Sequence, residues 1–265
     1  MFKEMCSRNF KNGVVYALKT KDDYPIEVTD TFLPFYTKDA IGRKQNTLYN
    51  NDLGSRKERW MVGVSTMSGC PVGCKFCATG NLKKCRNLTA EEIVEQVMFV
   101  VDKNLKTPFT FNSKEFKINY TRMGEPFLNV GELKKAIKFI DESFPATKVH
   151  HYVSTIGVKG ADYSWIKDNI TLQFSIHSFD EKYRDWLIPY KNKATLEKLG
   201  KVRTKSGLKT TLNLTLARKE DFSIKELQRL FDPEYFFIKL SPINTNKVSE
   251  ANNMGAGVIK TVNLI

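Results

Sequence analysis

The chain of 265 residues has no apolar run that could cross a bilayer. The longest, VMFVV at Val97–Val101, has five residues, where a spanning helix takes about 20. The opening MFKEMCSRNF carries charge among its first residues and holds no apolar stretch of secretory type, so a cytoplasmic protein with no membrane partner is expected. No internal repeat and no low-complexity tract is visible, which excludes solenoids and disordered linkers as the main content. Cysteine is scarce. Its five occurrences, Cys6, Cys70, Cys74, Cys77 and Cys85, are odd in number and three fall in one short loop, so metal or redox chemistry fits better than a disulfide framework. Acidic residues are outnumbered, 29 Asp and Glu against 42 Lys and Arg, for a net charge of +13. A surplus of that size suits a polyanion, of which nucleic acid is the usual case, and the alternative is a lysine-rich solvated surface.

What is present reads as an ordinary globular chain, 41% hydrophobic and 27% charged. In the first 55 or so residues, GVVYALKT and YPIEVTDTFLPFYT are strand-like, and YNNDLGS reads as a linker. Beyond it, six β-rich segments alternate with helical patterns: RWMVGVST, FKINYTR, KVHHYVST, ITLQFSI, KTTLNLTL and YFFIKLS. The helical segments are TAEEIVEQVMFVVDKN, NVGELKKAIKFIDESF, YSWIKDNI, TLEKLGKVRTKSG and SIKELQRLFD, the first opening on a Thr89/Glu92 capping box. The alternation predicts an α/β fold with a parallel sheet. Six strands are fewer than a closed eightfold barrel needs, so a partial, open (βα)6 TIM-like barrel over residues 56–265 is expected, after a small β-rich extension over residues 1–55. Chemistry in such folds lies beyond the carboxyl ends of the strands.

The segment SGCPVGCKFCATG directly follows the first of these strands and spaces its cysteines as Cys70-x-x-x-Cys74-x-x-Cys77. A structural zinc site would need four protein ligands, commonly as two Cys-x-x-Cys or Cys/His halves; no second half follows, although Cys85 is available as a fourth ligand. A cubane iron–sulfur cluster also takes four ligands, and three thiolates would leave one iron open. From Lys182 to Lys209 nine Lys or Arg face only Asp185 and Glu197, with Tyr183, Trp186 and Tyr190 among them, aromatics able to stack on bases.

The cysteine spacing, with Phe76 just before the third cysteine, resembles the radical S-adenosylmethionine (SAM) superfamily. That resemblance implies a [4Fe–4S] cluster on Cys70, Cys74 and Cys77. Its open iron would be chelated by SAM, which is cleaved reductively to a 5′-deoxyadenosyl radical, with a reductant protein such as a flavodoxin as electron source. GCPVGCKFCATG followed by RNLTAEEIVEQV, RMGEPFLN, VSTIGV, FSIHS, YRDWLIPYKN and KLSPINT is similar, over Trp60–Thr245, to the subgroup that methylates adenine in ribosomal and transfer RNA. The resemblance implies RNA as substrate, and the basic, aromatic-laced stretch Lys182–Lys209 is expected to form part of the surface that binds it. It further implies SAM contacts from Gly124 and Glu125 of RMGEP, Ser154, Ser175 and His177, and Asn244. Alternation along FSIHS puts Ser175 and His177 on one face of a strand. Read alone, these are a Gly-Glu-Pro turn, a strand-end serine, a core histidine and a loop asparagine.

The sequence departs from that subgroup at two cysteines that its methyl transfer uses. Gly63 stands at the strand position seven residues before Cys70, and no cysteine follows Cys85. Covalent methyl relay requires a thiolate carrier. Cys85 is the candidate catalytic replacement, against the alternative of a small buried hydrophobe; Cys6 falls in an N-terminal arm expected to be flexible.

Overall fold

The computed structural model describes residues 2–34, 37–38, 44–45, 53–82, 84–105, 113–145, 147 and 149–255. Contacts divide the chain into two compact units. One comprises Met1–Ser68, Asn87–Met123 and Asn129–Tyr152, and the other Gly69–Arg86, Gly124–Leu128 and Val153–Ile265. The division does not fall at residue 55, because the N-terminal strands are hydrogen-bonded to the first strand of the parallel series within one unit.

In the first unit, β1 (Lys3–Phe10), β2 (Gly13–Lys19) and β3 (Pro25–Leu33) form an antiparallel meander. β3 pairs antiparallel with β4 (Arg59–Val64), with Thr29 opposite Gly63, and β4 pairs parallel with β5 (Glu115–Tyr120). β1 was not foreseen: all eight of its residues are exposed, so it has no buried face for alternation to reveal, and Cys6 lies in this strand rather than in a loose arm. β4 is buried on both faces, as a parallel strand covered by helices should be. The linker expected at YNNDLGS lies mostly outside the described residues.

Two long helices belong to this unit, α1 (Ala90–Asn104) and α2 (Val130–Ser143). α1 starts where expected: the Thr89 side chain accepts from the Glu92 amide and Glu92 accepts from the Thr89 amide. Ile93, Val97, Val100 and Val101 of α1, and Leu133, Ala136, Ile137 and Ile140 of α2, recur at helical spacing and are buried. Each large aliphatic contributes about 1.5–3 kcal/mol by leaving water.

β6 (Val149–Thr155) begins in the first unit and ends in the second, which adds β7 (Ile170–Ser175), β8 (Thr210–Thr215) and β9 (Phe236–Ser241). β7 pairs parallel with β8 and β8 with β9. All six strands expected in β4–β9 therefore form, and the class is α/β with parallel pairing. The helices of this unit are short: α3 (Glu181–Leu187), α4 (Leu196–Gly200), α5 (Ile224–Leu230) and α6 (Lys247–Ala251). The helix expected over 163–170 is a pair of turns, and the one expected over 195–207 stops at Gly200. α3 and α6 were not foreseen. At seven and five residues they are below the length at which a helix holds itself together, so packing and caps create them.

Candidate functional site

Each candidate cluster, SAM-contact and replacement-thiol residue, from Cys70 to Asn244, belongs to the second unit. The cysteine loop turns on two glycines in the left-handed region, Gly69 at φ 73° and Gly73 at φ 69°. A Cβ on Gly69 would fall 2.6 Å from the Lys84 carbonyl oxygen and 3.2 Å from Cys85 Cα, so the two ends of the loop close on each other only because residue 69 has no side chain. The Cys77 amide donates to the Cys74 carbonyl at 3.1 Å. Cys70, Cys74 and Phe76 pack on a buried apolar cluster of Val72, Ile156, Leu187, Ile188, Ile243 and Met254. Burial pushes the Cys70 thiol up to about 12 and holds Cys74 well above its ordinary range, and each of the two also senses the charge of Cys77. Cys85 is exposed, which removes the reading of it as a small buried hydrophobe.

Two asparagines that sequence reasoning missed secure the loop. Asn246, the N-cap of α6, donates from Nδ2 to the Phe76 carbonyl at 3.0 Å. Asn252, at the other end of α6, donates to the Lys75 carbonyl at 2.9 Å. Both carbonyls lie between Cys74 and Cys77. The only sequence signal was an Asn directly after SPINT, indistinguishable from a loop residue.

Glu125 is buried in the turn after Gly124, whose φ of 101° suits glycine. Its Oε1 accepts from the Phe127 amide at 3.0 Å and its Oε2 from the Ile156 amide at 2.9 Å. Burial raises its carboxyl to about 7, with bonds from Thr155, Ile156 and Phe127 acting the other way. At the end of β6, Ser154 Oγ donates to Gln173 Oε1 at 3.0 Å, and Asn213 Nδ2 reaches both Ser154 Oγ and Gln173 Oε1 at 3.3 Å. Gln173 and Asn213 were not anticipated; polar residues inside otherwise apolar strands were the available signal.

β7 ends at Ser175, so the alternation that placed Ser175 and His177 on one face stops before His177. His177 lies beyond the strand at φ 58°, buried, with its ring edge-on to Phe76 at a centroid distance of 4.9 Å. Its Nδ1 accepts from the Thr215 amide at 3.0 Å. Burial, with Arg184 as a lesser cause, lowers its pKa to about 3, so the ring is neutral and carries its proton on Nε2. Asn244 is exposed; its carbonyl accepts from Asn246. The structure thus gathers Cys70, Cys74 and Phe76 with His177, and Glu125 with the end of β6, while among the described residues Ser175 and Asn244 share no side-chain partner with them.

The stretch Lys182–Lys209 is divided by the fold. α3 and the segment after it meet the carboxyl side of β6, where Lys193 bridges to Val158. Lys201–Lys209 instead leads into the first residue of β8, with Arg203 over the Tyr235 ring at 4.0 Å and Lys209 donating to the Pro233 carbonyl. Arg184 is not on the surface at all.

The family model described as the radical SAM superfamily matches residues 64–231. The chain belongs to the radical SAM superfamily. Among curated relatives, it is 35% identical over 212 residues to a probable dual-specificity RNA methyltransferase RlmN of Dictyoglomus turgidum, covering 74% of this chain and 58% of that one. It is 36% identical over 141 residues to the dual-specificity RNA methyltransferase RlmN of Helicobacter hepaticus, covering 52% and 37%. The matched part of the chain thus spans less than two thirds of the length of either relative. A radical SAM methyltransferase from Sphaerobacter thermophilus superposes with a TM-score of 0.64 at 22% identity, over 92% of this chain and 67% of that one. This likeness shows the fold, α/β with the TIM-like succession of βα units.

The cofactors of this superfamily are a [4Fe–4S] cluster and SAM. The cysteine loop offers the soft sulfur donors that iron–sulfur clusters take, so the donor set fits. Among the described residues, no three Cys, His, Asp or Glu side chains are already drawn to ligating spacing. At Gly63 on β4 a Cβ would fall 2.3 Å from Thr29 Oγ1, so any side chain there would displace that threonine.

Proposed function

We propose that the chain is a cytoplasmic radical SAM enzyme that modifies RNA and takes its electron from a small reductant protein such as a flavodoxin. Cys70, Cys74 and Cys77 would hold the cluster; Gly124, Glu125, Ser154, Ser175, His177 and Asn244 would hold SAM. The observation that carries the reading is the superfamily match over residues 64–231, with three cysteines on one glycine-turned loop inside it. When bound, the cluster supplies the single electron for reductive cleavage of SAM.

The chain's own groups suit that task. Glu125, with its carboxyl raised to about 7, gains from an incoming ammonium, which holds it ionised and donates to its free lone pairs. His177 offers Nε2–H as a fixed donor, since Nδ1 is committed to Thr215. The apolar cluster around Val72, Ile156 and Leu187 keeps water from the loop. For RNA, Trp186 on α3 is 43% exposed and lies 5.2 Å from Tyr183, whose ring has the Arg218 guanidinium at 3.3 Å. Such a stacked, cationic surface suits an unpaired base. Thr29 filling the space beside Gly63 favours a chemistry other than the subgroup's cysteine relay, with Cys85 as the one exposed thiol close to the loop if methyl transfer persists.

Anaerobic reconstitution with iron and sulfide, then dithionite and SAM with or without RNA, tests this. RNA-dependent 5′-deoxyadenosine is expected. S-adenosylhomocysteine formed alongside it, and lost in Cys85→Ala, would assign that thiol as methyl carrier. 5′-Deoxyadenosine that ignores RNA would redirect the substrate to a protein or small molecule. Bound iron with no SAM cleavage would leave a non-catalytic SAM- or RNA-binding module.

A further inference from the structure

Arg184, on α3, has a side chain that is 0% exposed. A guanidinium stays charged at any physiological pH, and a buried charge needs a counter-charge as well as hydrogen bonds. The hydrogen bonds are mostly present. Nη1 donates to the Ala194 carbonyl and Nη2 to the Ile156 carbonyl, both at 2.9 Å. The counter-charge is meagre. Glu181 approaches Nη1 only to 3.4 Å, is 42% exposed, and uses its other oxygen on the Leu196 amide. A well-made guanidinium–carboxylate bond is about 2.7–2.9 Å. Nε is buried and has no hydrogen-bond partner among the described residues.

What surrounds this cation points to the anion it lacks. Three residues along α3, the Leu187 carbonyl accepts from the Lys75 amide, next to Cys74, at 2.9 Å. Leu187 and Ile188 share their apolar cluster with Cys70 and Cys74. Ile156, whose carbonyl holds Nη2, gives its amide to Glu125. Arg184 is therefore tied on one side to the cysteine loop and on the other, through one residue, to Glu125. Cys74 is among the groups whose charge it senses.

We propose that Arg184 is the buried counter-cation of the cysteine loop, offsetting the negative charge that its thiolates carry when they hold a cluster and so raising that cluster's reduction potential. The proposal rests on the reading of Cys70, Cys74 and Cys77 as cluster ligands. Reduction adds one negative charge to a thiolate-bound cluster, and a fixed cation in a low-dielectric setting stabilises the more negative state. An arginine serving only to staple the Ala194 and Ile156 carbonyls would act on packing and leave the potential alone.

The test is a redox titration followed by electron paramagnetic resonance on the reconstituted full chain, without SAM. Arg184→Gln is expected to shift the midpoint to more negative values, and Arg184→Lys, which keeps the charge, to restore most of the shift. Glu181→Gln, which removes the weak counter-charge and keeps an acceptor for Leu196, is expected to shift it the opposite way. Equal displacement in the Gln and Lys variants, or unchanged midpoints, would overturn the proposal. So would a shift of one sign in both Arg184→Gln and Glu181→Gln. Should Arg184→Gln fail to fold, Glu181→Gln decides alone, an unmoved midpoint counting against the proposal. Wild-type protein that takes up iron only as adventitious metal, with no cluster signal, would sink the reading of the loop itself and this proposal with it, before any variant is made.

Discussion

In the first unit the Asp30 carboxylate is fully buried and receives Arg56 through Nε and Nη2, the Trp60 indole at 2.8 Å and the Asn104 amide at 3.0 Å. In the second unit Glu125 is almost as buried yet, among the described residues, is met by neutral donors alone, and Arg184 has one long contact to a half-exposed carboxylate. The histidines repeat the contrast. His151 of the first unit is bonded at both nitrogens, to Tyr120 at 2.9 Å and Asp141 at 3.0 Å. His177 of the second is bonded at Nδ1 and held at positive φ. A buried polar group with its partners complete belongs to the scaffold, because further ligands would have to displace something. One left partly matched costs stability that only a ligand can return. The same difference shows in the helices: 15 and 14 residues with long apolar stripes in the first unit, five to seven residues in the second.

This contrast can be broken most directly at Asp30. Asp30→Ala would strand Arg56 and unpair the Trp60 and Asn104 donors, and urea denaturation should register a loss of about 3 kcal/mol or more. A change below about 1 kcal/mol would mean that the first unit's charge network is not structural.

The unmatched carboxyl of Glu125 should reveal itself in pH dependence. Its folded pKa is raised, so the folded chain holds a proton that the unfolded chain releases. Stability from this group is therefore greatest below 4.5 and falls as pH rises to about 7, by about 3 kcal/mol across that span. His177 acts with the opposite sign. Its folded pKa is lowered to about 3, so its contribution is lost as pH falls from 6.5 towards 3. Across 4.5 to 6.5 the two oppose each other. Glu125→Gln should therefore gain stability relative to wild type between pH 5 and pH 8 in the cofactor-free protein, and parallel pH profiles would refute the assignment.

The smallest effect belongs to the scaffold's cap. Thr89→Ala removes the side chain that accepts from the Glu92 amide, and about 1 kcal/mol should be lost in the same denaturation assay, with iron content unchanged. A larger loss accompanied by poorer iron uptake would mean that α1 supports the cysteine loop as well as its own unit.

The parts of this protein legible in its sequence are those written in local chemistry. The six strands of the parallel series, the Thr89 capping box and the cysteine spacing each depend on residues within a few positions of one another. Hydrophobic period, capping and ligand geometry act over that range. What lay beyond reach depends on partners far along the chain. α3 and α6 are too short to form on propensity, and α6 exists at the cysteine loop through Asn246 and Asn252, 170 or more positions from the carbonyls they hold. The run from Lys182 to Lys209 reads as one basic surface, but the fold buries Arg184 and sends Lys201–Lys209 to the start of β8. Composition and spacing settled that three thiols share a loop and that the chain builds an α/β scaffold. Only the tertiary structure decided which charges are left unmatched beside that loop, because matching a buried charge takes groups that meet through folding and not through sequence.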